Sequence, residues 1–536
     1  MAWSVNCRLM VAQLTLALIL LYLHNIRKMM QLDSYQLRRS ESFDHVPHPV
    51  YLRRKFDKDA REFGAKSPEL LLTVSNAGQS NVVRCPSTLR PNSTLGTKWQ
   101  RQDYSSGIIY IYSAVYDSRP PARRHPDSGT VRVLVLASGL QGHTTPVYCQ
   151  MWYSEVSEAP LVVRADLIEL DTDVGQLKIG HQVYVQYLVS CLLHQSAAAI
   201  NVEAVSVAVR DGCASASALV PVYHPAAVTT ETSIGIGICA VMAWPVSDES
   251  SGALRLQSAP WLVEWMELQL SVFGASRVFL YVAFDDDLRS LERLIRFYAA
   301  DVRKSLVVRR IPHPVAAGRK RHQQQETIGK LRALAVNDCM LRGASQFRYL
   351  IDVDFDELLV PRHVAQNYSD LIARISSSVA EKRPQFHDTP AIYFFHVLSF
   401  HVDSPIDDSA PQSSRFTTTG RLRSRDRPEK KARRVMIDCS RCVVVSLSTG
   451  CDVTTMAVKN RGVDVPLNVA ACHRYRRACV SSDVGCRTPP IRHLQSPVKD
   501  NTMLRFQPRL KFSLIQALKD SGTVDKAGLY QVALNA

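Results

Sequence analysis

The sequence predicts an α/β protein: a strand–helix domain over residues 231–520, preceded by a small β-rich domain over 106–230 and by an N-terminal transmembrane anchor over 9–26. Three observations carry this prediction. From Ile234 onward, apolar strand-like runs alternate with amphipathic helical stretches. Between Ile108 and Tyr223, short β-like runs recur between turn-rich stretches. Residues 9–23 are apolar apart from Gln13 and Thr15, and extension over 2–26 reaches the ~20 residues a bilayer helix needs. At 536 residues and 46% hydrophobic content the chain can bury more than one core, since single cores stop growing at roughly 250–300 residues.

No small-x-small cleavage site follows the apolar run; Tyr22, His24, Arg27 and Lys28 do, which favours an uncleaved signal-anchor behind a cytoplasmic tail of residues 1–8. Flanking charge does not orient it, because Arg8 and the amino terminus face Arg27 and Lys28. Glycosylation acceptors at Asn92 and Asn367, and twelve of thirteen cysteines beyond the anchor, favour an oxidising lumen and a type II topology. Residues 27–105 are polar and charged, as in Arg53-Arg54-Lys55, and read as a stem.

In the β-rich domain the strand-like runs are 107–112, 131–136, 181–189 and 204–209. The α/β domain opens with the apolar run 234–244 and a helix introduced by Ser258 and Pro260. Trp261, Trp265, Leu268 and Val272 form one apolar stripe on that helix, Glu264 and Glu267 lie off it, and Gly274 can end it. A strand over 277–284 leads to Asp285-Asp286-Asp287, read as a solvated turn with a nucleotide contact as the alternative, and to a helix bearing Leu288, Leu291, Ile295 and Tyr298. A strand at 305–311, a helix at 326–341 and a strand at 347–353 follow, the last running into Asp354-Phe355-Asp356-Glu357. After a helix at 369–380 and a strand at 391–400, residues 403–434 are polar and then basic, and read as a loop over the site; residues 521–536 are a tail.

The net charge is +16, of which residues 421–434, with eight basic and two acidic side chains, supply +6. No zinc-finger spacing, aromatic–basic RNA motif or basic heptad accompanies it, which argues against nucleic acid. Cys439-x-x-Cys442 with Cys451 lacks a second pair, so disulfides rather than zinc are expected.

Carboxylates thus crowd the carboxyl end of a strand, where open parallel sheets bind ligands. Alternation along an extended segment lets Asp354 and Asp356 address one ion while Phe355 turns away. Hard carboxylate oxygens suit Mn²⁺ or Mg²⁺ bridging a diphosphate. Leu358-Leu359-Val360-Pro361 continues as buried chain, and so many charges beside a core are costly unless compensated.

Several ordered motifs accompany this one: Ser113-Ala114-Val115-Tyr116-Asp117-Ser118-Arg119, Leu262-Val263-Glu264-Trp265-Met266-Glu267, Asn337-Asp338-Cys339, Ile351-Asp352-Val353-Asp354 continuing to Pro361, Cys472-His473-Arg474-Tyr475-Arg476, and Lys499-Asp500-Asn501-Thr502-Met503. In this order, over roughly 108–518, the chain resembles glycosyltransferase family 92, a Golgi β-galactosyltransferase-type family, with Arg474 inserted into the family's late His-Tyr-Arg element. The resemblance implies a GT-A-type fold, Golgi membrane anchoring with a lumenal catalytic domain, and Mn²⁺- or Mg²⁺-dependent transfer with inversion. The expected donor is UDP-galactose, and the expected acceptor a glycan on a glycoprotein or glycolipid. It also implies that Asp354 and Asp356 are metal ligands, with His473 a third ligand or phosphate contact, or else a packed structural histidine. Asp352, Tyr475 and Arg476 would face the donor, and Glu357 is a candidate catalytic or supporting group. A catalytically inactive lumenal glycan-binding protein on the same fold is the rival reading, and a surface adhesion protein a third.

Overall fold

The computed structural model describes residues 83–85, 99–119, 129–140, 145–153, 159–170, 177–179, 181–193, 202–225, 235–242, 259–282, 292, 294–299, 305–314, 329–382, 390–401, 422–423, 433–439, 442, 444–446, 450–452, 462–476, 498–499 and 502–520. The anchor segment 9–26, Asn92, the triplet Asp285-Asp286-Asp287 and the tail 521–536 lie outside the described residues.

The first ten strands are β1 (Val83–Arg84), β2 (Gln100–Tyr104), β3 (Gly107–Asp117), β4 (Thr130–Ala137), β5 (Val147–Tyr153), β6 (Leu161–Glu169), β7 (Leu177–Ile179), β8 (Gln182–Leu192), β9 (Val202–Val209) and β10 (Val220–Tyr223). They form one sheet in the order β1-β6-β5-β9-β10-β3-β4-β8-β7, and because β6 also pairs β8, seven strands close into a barrel. All its pairings are antiparallel except β10 with β3. Alternation sorts β4: Val131, Val133 and Val135 fill the barrel, while Leu134 and Leu136 pack outward against the next layer. The Cys149–Cys191 disulfide joins β5 to β8 inside this core, and Cys85–Cys213 links residues 128 apart in sequence.

The second sheet is built on β11 (Ile236–Met242), β12 (Arg277–Val282), β13 (Leu306–Arg310) and β14 (Tyr349–Asp354), all parallel in the order β13-β12-β11-β14. Helix α1 (Ala259–Glu267) lies between β11 and β12 in sequence and runs on as a π-turn over Leu268–Val272; Gly274, at φ 80°, then reverses the chain, as glycine does at little steric cost. Helix α2 (Arg332–Gly343) precedes β14. Then follow β15 (Glu357–Pro361), α3 (Tyr368–Lys382), β16 (Ile392–His401), β17 (Leu422–Arg423), β18 (Arg433–Asp438), a small hairpin of β19 (Val444–Ser446) and β20 (Gly450–Asp452), β21 (Val463–Asp464), β22 (Ala470–Arg476), β23 (Val498–Lys499), a 3₁₀ turn over Thr502–Phe506 and α4 (Gln507–Asp520). One core lies against Ile236, Ile238, Trp261, Trp265, Ile351 and Val353; the other side, with Cys239, Tyr281 and Leu350, packs on α2 and the outside of the barrel.

The α/β class is corrected by this architecture. Strands dominate the described residues, in sheets of ten and eleven strands, and parallel helix-connected strands are confined to β11–β14. A GT-A-type α/β domain therefore does not describe the fold. The physical reason is visible in β18 and β22: Arg433, Arg434 and Arg474 stand at strand positions and are matched by Asp464, Asp354 and Glu357 of other strands, so a loop-like charge pattern hid strand residues. No helix among the described residues is long and apolar enough to cross a membrane, and the expected anchor lies outside them.

Candidate active site

β12 lies on one side of β11, and β13 beyond it, whereas β14 lies on the other side. The strand order therefore reverses between β11 and β14, and Asp354, paired with Val241, ends β14 at that switch point. Crevices at such points, outside the carboxyl ends of strands, are where open parallel sheets take ligands.

Asp352 and Asp354 are two apart on a strand and so share a face. The first residue of α2 meets both: Arg332 donates from Nη2 to Asp352 at 2.6 Å and from Nη1 to Asp354. The other oxygen of Asp354 accepts from Arg434 Nη2 at 2.6 Å. The chain then turns through Phe355 and Asp356 into Glu357, whose Oε2 accepts the Asp354 amide at 2.9 Å. Phe355 is buried against Trp265, with ring centroids 5.3 Å apart.

Three donors fasten this turn. Trp261 Nε1 donates to the Phe355 carbonyl at 3.3 Å, Trp265 Nε1 to the Glu357 carbonyl at 2.7 Å, and the Tyr475 amide to the Asp356 carbonyl at 2.9 Å. The apolar stripe of α1 thus also holds the backbone of the carboxylate turn.

Glu357 is fully buried. β15 and β22 pair antiparallel with Glu357 opposite Arg474, whose Nε donates to Glu357 Oε1 at 2.6 Å. Arg434 grips the same carboxylate, with Nη2 2.9 Å from Oε1 and Nε bonded to Oε2. Burial pushes the Glu357 carboxyl up, but the guanidiniums of Arg434 and Arg474 outweigh it and hold the group well below the usual carboxylate range.

Asp354, Asp356 and Glu357 each bring one carboxylate oxygen within 4.8 Å of the other two. An all-oxygen donor set of this size suits Mn²⁺ or Mg²⁺ and not a thiophilic metal, so these residues fit the expected cation.

His473 is not brought to this trio. It lies opposite Leu358, on the other face of β22 from Arg474, fully buried and stacked on Phe400 at 4.4 Å, with Nε2 3.2 Å from Arg362 Nη2. Tyr475 shares that interior, its ring 5.4 Å from Phe400 and its hydroxyl 3.4 Å from His473 Nδ1. Arg476 ends β22, and Asp352 is buried against Arg332. Asn367 lies just before α3 and its Oδ1 accepts the Asp370 amide at 2.8 Å, so this asparagine caps that helix. Cys442 is disulfide-bonded, whereas Cys439 is a buried free thiol pushed up to about 12 by burial.

Sequence reading missed the three arginines. Arg434 was concealed at the end of the basic run, Arg474 showed only as an insertion, and Arg332 carries no local signal, because its partners lie 20 and 22 residues away.

Residues 253–516 match the family model of glycosyltransferase family 92. The matched stretch holds α1, the carboxylate turn and all three arginines, and leaves the barrel outside it. No curated protein matches the chain. The family match supports glycosyltransferase activity, and with it a sugar donor and a glycan acceptor.

Proposed function

We propose that this glycosyltransferase moves a hexose, galactose from UDP-galactose, onto a glycan of a glycoprotein or glycolipid, with inversion and with Mn²⁺ or Mg²⁺ bound. The observation that carries the reading is the trio Asp354, Asp356 and Glu357 at the carboxyl ends of parallel strands, where the strand order reverses. Asp354 and Asp356 are the assigned cation ligands. A bound cation would supply electrostatic stabilisation of the departing diphosphate. The residues of the chain hold the geometry: α1 fastens the turn backbone through two indoles, and Glu357 spaces Arg434 and Arg474. Glu357 takes a positioning role in this reading, because its two oxygens already accept from Arg434, Arg474 and the Asp354 amide. The Cys85–Cys213, Cys149–Cys191 and Cys239–Cys339 disulfides suit an oxidising compartment such as the Golgi lumen.

The test is donor hydrolysis and transfer by the full-length chain over a panel of UDP-sugars with Mn²⁺, against Asp354→Ala and Asp356→Ala. Turnover with one donor, lost in folded variants, is the expected result. A second reading, a catalytically inactive glycan-binding protein, is favoured by one observation: both oxygens of Asp354 are taken by guanidiniums. Absence of both turnover and Mn²⁺-dependent UDP binding would establish that reading instead.

A further inference from the structure

Asp354 is shared in an unusual way. Arg332 reaches it with Nη1 and keeps Asp352 with Nη2; Arg434 reaches it with Nη2 and keeps Glu357 through Nε and a second Nη2 contact of 2.9 Å. Each arginine therefore has a second carboxylate to hold it in place if Asp354 is withdrawn. Both guanidiniums are largely buried, 12% exposed, and Arg332 sits at the first turn of α2, where a helix disfavours a cation unless carboxylates compensate.

We propose that Arg332 and Arg434 are diphosphate-binding residues that a divalent cation arms. The inference rests on the metal-dependent transferase reading and extends it to residues outside the acidic motif. Were Asp354 to hold a cation, the Arg332 Nη1 and Arg434 Nη2 donors that now meet it would become available to phosphate oxygens. They would stay anchored by Asp352 and Glu357 beside the carboxyl end of β14, at the switch point where sheets of this kind take ligands.

Formal charge favours the same order of events. Asp352, Asp354, Asp356 and Glu357 face Arg332, Arg434 and Arg474, so these described residues carry one surplus negative charge. A diphosphate entering alone adds to that surplus and finds the guanidiniums occupied. A bound divalent cation would reverse the sign of the cluster and so favour the diphosphate. Cation and diphosphate thus bind with positive coupling, and linkage makes that coupling reciprocal.

The experiment is calorimetric titration of the full-length chain with Mn²⁺ alone and with UDP, with and without saturating Mn²⁺, comparing the parent with Arg332→Gln and Arg434→Gln. Retained near-UV dichroism serves as the folding control. In both variants Mn²⁺ alone is expected to bind more tightly than in the parent, because a competitor for Asp354 is gone. UDP in the presence of Mn²⁺ is expected to bind about tenfold more weakly or worse, the loss of one charge-assisted hydrogen bond. A purely structural role would not move the two affinities in opposite directions. Unchanged UDP affinity in the folded variants would overturn the proposal.

The parent alone decides the matter if the variants do not fold. UDP binding strengthened by Mn²⁺, with the reciprocal gain for Mn²⁺, supports the arming step. UDP binding that is equal with and without Mn²⁺ overturns that step while leaving a nucleotide-sugar transferase standing. A parent that binds no UDP at all overturns the transferase reading itself.

Discussion

Asp338 and Glu357 are both fully buried carboxylates gripped by two arginines, yet their surroundings differ. Asp338, on α2, accepts Ser113 Oγ at 2.5 Å from the barrel and Tyr281 Oη at 2.8 Å from β12, while Arg342 and Arg309 stand 3.0 and 3.1 Å away. One carboxylate there answers two cations and two hydroxyls, and every group belongs to the protein. A similar bond network at β3 joins Asp117 to Arg119 and Arg132, and Arg119 goes on to the Cys439 and Cys442 carbonyls at 2.7 and 2.6 Å. These are clamps between the barrel and the second sheet. Around Glu357 the carboxylates outnumber the guanidiniums, and the cluster ends at strand termini. The difference teaches that buried charge alone does not mark a site; a surplus of one sign at an open strand end does.

The largest expected effect separates the two clusters directly. Asp354→Ala should lower transfer by about a hundredfold to a thousandfold, as loss of an electrostatic stabiliser does, with little change in melting temperature. Asp338→Asn should do the reverse. It strands Arg342 and Arg309 against a neutral partner and should cost about 3–5 kcal/mol in denaturant unfolding while Mn²⁺ affinity holds. Equal effects of both substitutions on Mn²⁺ binding would erase the distinction.

Acid acts on both clusters with one sign. Burial pushes both carboxyls up, but for Asp338 the guanidiniums of Arg342 and Arg309, and for Glu357 those of Arg434 and Arg474, leave each below its ordinary value, 3.8 and 4.5 respectively. A depressed folded value contributes stability that is complete above the unfolded value and is lost as pH falls through the folded one. The melting temperature should therefore hold from neutrality to about pH 4.5 and decline below it. A flat profile down to about pH 3 would contradict the ionised state of both groups.

The smallest effect probes the support of the turn. Trp265→Phe keeps the ring packing on Phe355 but leaves the Glu357 carbonyl without its indole donor, and should cost about 1–3 kcal/mol by thermal unfolding. A substitution without effect would mean that the turn is held by its other contacts alone.

Much of this molecule could be read in one dimension. The apolar stripe of Trp261, Trp265, Leu268 and Val272 packs on the second sheet, and Gly274 turns the chain after it at positive φ. Local periodicity sufficed there because each residue's environment is set by neighbours three or four positions away. The fold class was misjudged for the converse reason: β17 and the start of β18 fall in a polar and basic stretch, and Glu357 of β15 answers Arg434 and Arg474 across the sheet.

What the sequence alone determined is that Asp354, Asp356 and Glu357 crowd the end of an apolar strand, since composition and alternation are properties of adjacent positions. The tertiary structure decided the rest. It closed the barrel, turned His473 into the interior, and drew Arg332, Arg434 and Arg474 from three distant elements onto Asp352, Asp354 and Glu357. Buried charges need partners wherever the chain can bring them, and chain separation places no limit on which residue supplies them.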